Sequence, residues 1–163
     1  MTAALQGTSM AKTEPKRIEV PAWRVRLAVA SDMGFVYASW LNSAHQTYPN
    51  NHAEDWFPEA RAAAQRIMDS SVVAVAATQV DTNDLLGHMV FGRWRKTIVV
   101  HYAFTKPDAR RHGVLKSLLD FANYDGHPVV LTAPAQDPDV MRALMKRYIY
   151  DQRVLPLMQR GDR

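Results

Sequence analysis

The chain of 163 residues contains no cysteine, only seven glycines and no long apolar run. The absence of cysteine excludes disulfides, thiolate metal sites and a cysteine nucleophile, and it is typical of proteins from a reducing compartment. No apolar segment approaches the roughly 20 residues that span a bilayer, and the N-terminus has no signal-peptide core. We therefore expect a soluble, intracellular protein of the cytoplasm that does not contact the membrane.

The residues that are present predict one folded domain behind a short tail. With 47% hydrophobic and 22% charged residues, a chain of this length can build a single core. Its net charge of +4 favours acidic ligands. Residues 1–21 are mostly small or polar, so we predict a flexible N-terminal tail, followed by one domain over residues 22–163. We expect a partner protein or a second copy of the chain to order this tail.

Residues 97–119 carry the most specific pattern, TIVVHYAFTKPDARRHGVLKSLL. Residues 98–104 are β-branched or aromatic with apolar side chains on both faces, which predicts a central strand. Strict alternation would place the side chains on two faces, the first with Ile98, Val100, Tyr102 and Phe104 and the second with Val99, His101 and Ala103. Pro107 should end this strand near Lys106. The apolar spacing after Gly113 predicts an amphipathic helix.

The junction between this strand and this helix is a candidate anion site. The first amides of a helix have no partner within the helix and attract negative charge. Gly113 lets a phosphate approach the backbone, and Arg110 and Arg111 add charged donors. The pattern therefore suits a pyrophosphate, although a basic loop that binds only water has the same composition.

Residues 105–115, TKPDARRHGVL, resemble the acyl-CoA-binding motif of the GNAT family of N-acetyltransferases, roughly V-x-P-x-x-R-x-x-G-x-G/A. Pro107, Arg110 and Gly113 match the proline, the arginine and the first glycine of that motif. Two positions depart from it, because Thr105 replaces the usual valine and Leu115 stands where a second glycine or alanine is usual. The resemblance extends by element order over residues 23–157.

The resemblance implies acetyl-CoA as the cosubstrate and an amine, of a small molecule or a protein, as the acetyl acceptor. By family analogy, the pantetheine arm of CoA would lie along the end of the strand, at Phe104 and Thr105. The pyrophosphate would lie at the loop residues Arg110, Arg111, His112, Gly113 and Val114.

The remainder of the chain predicts the order β-α-α-β-β-β-α-β-α-β, a mixed α+β fold with helices on both faces of a mixed sheet. This is also the GNAT order. Gly87 and Gly92 in the third strand indicate a bulge or a close backbone approach. The basic hairpin tip at residues 93–96 contains a tryptophan, but no nucleic-acid-binding module is present, so a solvated turn is the preferred interpretation.

Catalytic residues are harder to place. The family resemblance implies a glutamate base on or beside the central strand and a tyrosine acid on the last helix, but residues 97–106 contain no carboxylate and Met145 aligns with the tyrosine. His101 is our candidate base, because imidazole titrates near neutrality, with a hydrogen-bonded core histidine as the alternative. Tyr148 is our candidate acid. The six histidines show no ligand spacing, so we predict no metal site.

Two functions remain open from the sequence. The first is an acyl-CoA-dependent N-acetyltransferase in which the amine attacks the thioester directly in a ternary complex. The second is a catalytically silent protein of the same fold that serves as a structural or adaptor subunit of a larger assembly. The basic loop favours the enzyme, and the missing acid and base favour the adaptor.

Overall fold

The computed structural model describes residues 22–47, 53–79, 84–123, 125–133 and 138–152, so the predicted tail of residues 1–21 lies outside the described part. Within those ranges the predicted order of helices and strands is confirmed. The elements are β1 (Trp23–Leu27), α1 (Met33–Thr47), α2 (Ala53–Met68), β2 (Val72–Thr78), β3 (Leu85–Trp94), β4 (Thr97–Thr105), α3 (Val114–Ala122), β5 (Val129–Leu131), α4 (Pro138–Met145) and β6 (Ile149–Tyr150). None of the helices in the described ranges is long and apolar enough to cross a membrane.

The six strands form one mixed sheet in the order β1-β2-β3-β4-β5-β6. Strands β1 to β4 pair antiparallel, whereas β4, β5 and β6 pair parallel. A two-residue turn at Arg95 and Lys96 is enough to join β3 to β4, but a parallel step requires a crossover, which α3 supplies between β4 and β5.

Apolar clusters cover both faces of the sheet. On one face α3 packs through Val114, Leu118, Leu119 and Ala122 against inward residues of β2 to β5. On the other face α1 and α2 contribute Val36, Ala64 and Met68, which pack with Val90 of β3. Helices therefore lie on both faces, as predicted, and the sheet is the middle layer of three.

A charged contact ties β1 to the start of α1. The Arg26 guanidinium donates to both carboxylate oxygens of Asp32, at 2.6 and 3.1 Å. The Val29 N–H donates to the same carboxylate at 2.8 Å, on the short 3-10 helix Ala30–Asp32 that precedes α1. The hydrogen bond from Arg26 holds the pKa of Asp32 below its usual value.

At Gly87 the backbones of β3 and β4 and the start of α3 come close together. A Cβ atom added at Gly87 would lie 2.5 Å from the Phe104 carbonyl oxygen, 3.2 Å from a methyl carbon of Val114 and 3.3 Å from Thr105 Cα. The predicted close approach is therefore confirmed here, whereas Gly92 pairs regularly with Val99. Only a residue without a side chain lets α3 begin directly over the end of β4.

Candidate functional site

A β-bulge at His101 reverses the side-chain pattern of β4. Val90 of β3 pairs with Tyr102 and the next residue, Phe91, pairs with Val100, so His101 is an extra residue with no partner on β3. Val100 accordingly faces the α3 cluster, while Tyr102 packs in the α1/α2 cluster. The predicted strict alternation over residues 98–104 is therefore wrong, because a bulge shifts every later side chain to the opposite face.

The same strand forms one wall of an open wedge. Strand β5 pairs with β4 only from Ile98 to Val100, and the Thr132 N–H makes the last bond of this ladder to the Val100 carbonyl at 3.0 Å. Strand β4 continues five residues further, to Thr105, which is about 16 Å at roughly 3.3 Å per residue. The wedge is a cleft with a volume of about 1180 Å³.

Three groups of residues line this cleft. The β4 wall and the α1 side contribute residues 100–105 and Ser43. The mouth is formed by Pro107, Ala109, Arg110, Arg111, Gly113, Val114, Leu115, Lys116 and Leu119. The opposite wall is formed by Leu131, Ala133, Asp139, Val140, Ala143 and Leu144.

The loop at the mouth has an unusual backbone. Arg111 has φ of 67° and Gly113 has φ of 92°, both in the left-handed region. For Arg111 this conformation costs free energy, and such strain concentrates at binding loops. Gly113 is the N-cap of α3 and supplies no capping side chain, while the first three residues of the helix all line the cleft. The helix N-terminus is therefore available to an anion.

The structure brings most of the predicted CoA-binding residues together. Phe104, Thr105, Arg110, Arg111, Gly113 and Val114 all line the cleft, and Arg110 Nε donates to the Thr105 carbonyl at 3.3 Å. His112 is exposed and does not line it. Leu115, where the family motif has a small residue, packs against the α3 cluster and forms part of the cleft wall.

His101 lies at the closed end of the wedge. It is 5% exposed, and its Nδ1 atom lies 3.4 Å from the Thr132 hydroxyl, which leaves Nε2 for the cleft that the residue lines. Burial lowers the pKa of His101 to about 4. The imidazole is therefore neutral at physiological pH, and one of its two ring nitrogens carries a lone pair.

Tyr148, the predicted acid, is not brought to the cleft. Helix α4 ends at Met145, so Tyr148 lies in the turn before β6, where its ring packs against the α3 cluster. The phenol that does line the cleft is Tyr102, whose hydroxyl donates to the Ser39 carbonyl at 3.1 Å and is hydrogen-bonded to the Ser43 hydroxyl at 2.7 Å. The ring of Tyr102 is stacked on Trp40 with centroids 5.0 Å apart.

Sequence reasoning did not identify Ser43, Tyr102 or Thr132 as site residues. Ser43 lies on α1 and Thr132 follows β5, so neither is near the motif in the sequence. Strict alternation places Tyr102 on the same face as Val100, because the bulge that turns it toward α1 has no local signal in the sequence.

A second histidine lies behind the β4 wall. His88 is fully buried, and neither of its ring nitrogens has a hydrogen-bond partner in the described part of the chain. Its ring is surrounded by the aromatic rings of Phe35, Tyr102 and Phe104. Burial lowers the pKa of His88 to about 4, so this imidazole is also neutral.

The mixed sheet, in which β5 ends at Leu131 while β4 continues to Thr105, is a fold shared with several solved structures. A putative acetyltransferase from Pyrococcus furiosus matches with a TM-score of 0.58 at 13% identity, over 78% of this chain and 93% of that one. The PaiA N-acetyltransferase from Thermoplasma acidophilum, in complex with coenzyme A, matches with a TM-score of 0.55 at 15% identity, over 77% and 87%.

A ribosomal-protein-alanine N-acetyltransferase from Brucella melitensis biovar Abortus also matches, with a TM-score of 0.52 at 20% identity over 78% and 91% of the two chains. No protein-family model matches the chain, and no curated protein matches it in sequence. At these identities the likeness establishes the fold. The chain has the GNAT fold, as the motif at residues 105–115 predicted.

Proposed function

We propose that the protein is an acetyl-CoA-dependent N-acetyltransferase in which an acceptor amine attacks the thioester directly. The observation that carries this proposal is the wedge along the part of β4 that continues beyond the end of β5, with a basic loop and a helix N-terminus at its mouth. The presence of coenzyme A in the related PaiA structure supports the choice of ligand.

The residues present suit the pyrophosphate and the pantetheine arm of coenzyme A. The exposed guanidinium groups of Arg110 and Arg111 and the first-turn amides of α3 provide charged and backbone donors for a pyrophosphate. Residues 102–105 pair with β3 on one side and border the cleft on the other, so their outward backbone groups can bond an extended amide chain as an added strand would. The pantetheine arm is such a chain.

Acetyl-CoA supplies an acetyl group activated as a thioester. His101 lies at the closed end of the wedge, where the acetyl end of an arm running along β4 from the mouth would arrive. We assign His101 the role of base, because its neutral imidazole can take the proton that the amine loses as nitrogen bonds to the acyl carbon and sulfur leaves with the C–S electron pair. The acceptor is a primary amine of a small molecule or a protein.

Thermal unfolding with and without acetyl-CoA tests the binding step. A ligand that binds only the folded state adds about 2.7 kcal/mol at one hundred times its dissociation constant, which raises the melting temperature measurably. Gly113→Asp should remove this rise, because it places a carboxylate beside the pyrophosphate. Gly126→Asp is the matched control, since Gly126 has a similar positive φ of 72° and, like Gly113, no protein atom within 4 Å of an added Cβ. No rise in the parent protein at millimolar acetyl-CoA would refute the proposal.

Turnover can be measured as thiol release from acetyl-CoA, and the protein itself adds no thiol signal because the chain contains no cysteine. Suitable probe acceptors are an alanyl peptide with a free N-terminus, spermidine and Nα-acetyl-lysine amide. We expect amine-dependent release with at least one of them.

The catalytically silent subunit is the second candidate. It is favoured by one observation: Asp139 is the only carboxylate among the described lining residues, and it is 85% exposed and paired with Arg142. Acetyl-CoA binding without thiol release for any of the three amines would favour this candidate over the enzyme.

A further inference from the structure

The closed end of the wedge holds two buried polar side chains in contact. Thr132 is 8% exposed and His101 is 5% exposed. The Thr132 hydroxyl lies 3.4 Å from His101 Nδ1 and 3.3 Å from the Val100 carbonyl oxygen. The backbone N–H of Thr132 bonds the same carbonyl at 3.0 Å, which fixes the position of this residue against β4.

The contact between Thr132 and His101 is compatible with two positions of the hydroxyl and imidazole protons. A threonine hydroxyl has one proton to donate, and its oxygen can also accept. If the hydroxyl donates to the Val100 carbonyl, as the 3.3 Å contact allows, a hydrogen bond between its oxygen and His101 requires that Nδ1 carries the imidazole proton. If the hydroxyl donates to Nδ1 instead, the proton of the neutral imidazole lies on Nε2. Only the first arrangement leaves a lone pair on Nε2.

We propose that Thr132 is a positioning residue that holds His101 as the Nδ1–H tautomer and thereby leaves the acceptor lone pair on Nε2, toward the cleft. This inference rests on the proposed function, because it matters only if His101 accepts a proton from the acceptor amine. The bulge places His101 directly after the last β4 residue that pairs with β5, beside Thr132, which directly follows β5. Thr132 does not touch the reacting atoms and acts through the imidazole.

The tautomer can be measured directly by ¹⁵N NMR of histidine-labelled protein at neutral pH, because the protonated and unprotonated ring nitrogens differ strongly in chemical shift. His101→Gln assigns the signal. His127 is an internal reference, since its Nε2 lies 3.1 Å from the Asp125 carboxylate and must carry a proton to bond it. We expect Nδ1–H for His101 and Nε2–H for His127.

Substitution of Thr132 then separates positioning from packing. Thr132→Val keeps the shape of the side chain and removes the hydroxyl, so we expect a mixture of His101 tautomers with the His127 signal unchanged. Thr132→Ser restores the hydroxyl and should restore the Nδ1–H tautomer. In the thiol-release assay Thr132→Val should lower the rate at least about tenfold and move the acidic limb of the pH profile, whereas Thr132→Ser should recover both.

The outcomes distinguish this inference from the function on which it rests. An Nε2–H tautomer at His101 in the parent protein, or a tautomer that Thr132→Val leaves unchanged, overturns the positioning role even if acetyl-CoA binds. Failure of calorimetry on the same sample to detect CoA binding overturns the proposed function, and the positioning role with it, whatever the tautomer.

Discussion

Gly87→Ala tests whether the end of β4 and the start of α3 are positioned by one close contact. The new methyl group would meet the Phe104 carbonyl oxygen at 2.5 Å, and this backbone atom can move only with the strand. Overpacking of this kind costs about 1–3 kcal/mol, and the loss of glycine's freedom in the unfolded chain returns about 0.4–1 kcal/mol. We expect a net loss of about 1–2 kcal/mol, or roughly 2–8 °C in melting temperature.

The same substitution should weaken acetyl-CoA binding although Gly87 does not line the cleft. The displaced groups belong to Phe104, Thr105 and Val114, which line the wall and the mouth. We therefore expect the ligand-induced rise in melting temperature to shrink. Gly34→Ala is the control, because it has no neighbour within 4 Å and lies in α1, where alanine should add about 0.5–1 kcal/mol. If Gly87→Ala were as stable as the parent protein, the close contact would not exist as described.

The remaining predictions concern stability and assembly. His88 and His101 are neutral in the fold, with pKa values of about 4 against 6.5 when unfolded. Because the unfolded chain binds protons first as the pH falls, the free energy of unfolding is highest above pH 6.5 and decreases between pH 6.5 and pH 4. The loss is about 3 kcal/mol for each, measurable by urea unfolding, and His88→Leu should raise stability at pH 7 and flatten the profile. A decrease in stability would show that the imidazole has a partner. Asp32→Asn should cost about 2 kcal/mol in the same assay, because it breaks a paired, buried carboxylate; an unchanged urea midpoint would contradict this. Tyr102→Phe should cost about 1 kcal/mol in thermal unfolding while preserving the stack on α1. Deletion of residues 1–21 should leave the melting temperature and acetyl-CoA binding intact and weaken any oligomer seen by light scattering; a lower melting temperature would place the tail on its own domain.

The sequence predicted the strand, loop and helix of the site better than the register in which the strands pair. The strand, the turn at Pro107, the basic loop and the helix after Gly113 each have a local cause, such as the missing proline N–H or the apolar spacing, and each lies where it was expected. The bulge at His101 depends on the register between β3 and β4, which no local pattern encodes.

The same limit explains the candidate acid and the missed site residues. Tyr148 was the candidate acid by family analogy alone, and its ring packs against the α3 cluster because the segment after Met145 folds back onto that face of the sheet. Thr132 and Ser43 reach the cleft because distant segments meet there, so only the assembled fold could identify them.

The short ladder between β4 and β5 connects two parts of the sheet that should differ in their resistance to local unfolding. Only three residue pairs join these strands, β6 adds two more to β5, and α4 has no fully buried residue. We therefore expect native-state hydrogen exchange to show two levels of protection: near-global for β2 to β4, and lower, through local opening, for β5 and β6. A ligand that contacts both walls of the wedge would link these two parts of the sheet. We therefore expect ligand binding to slow hydrogen exchange most in β5, although β5 lies away from the loop that binds the anion.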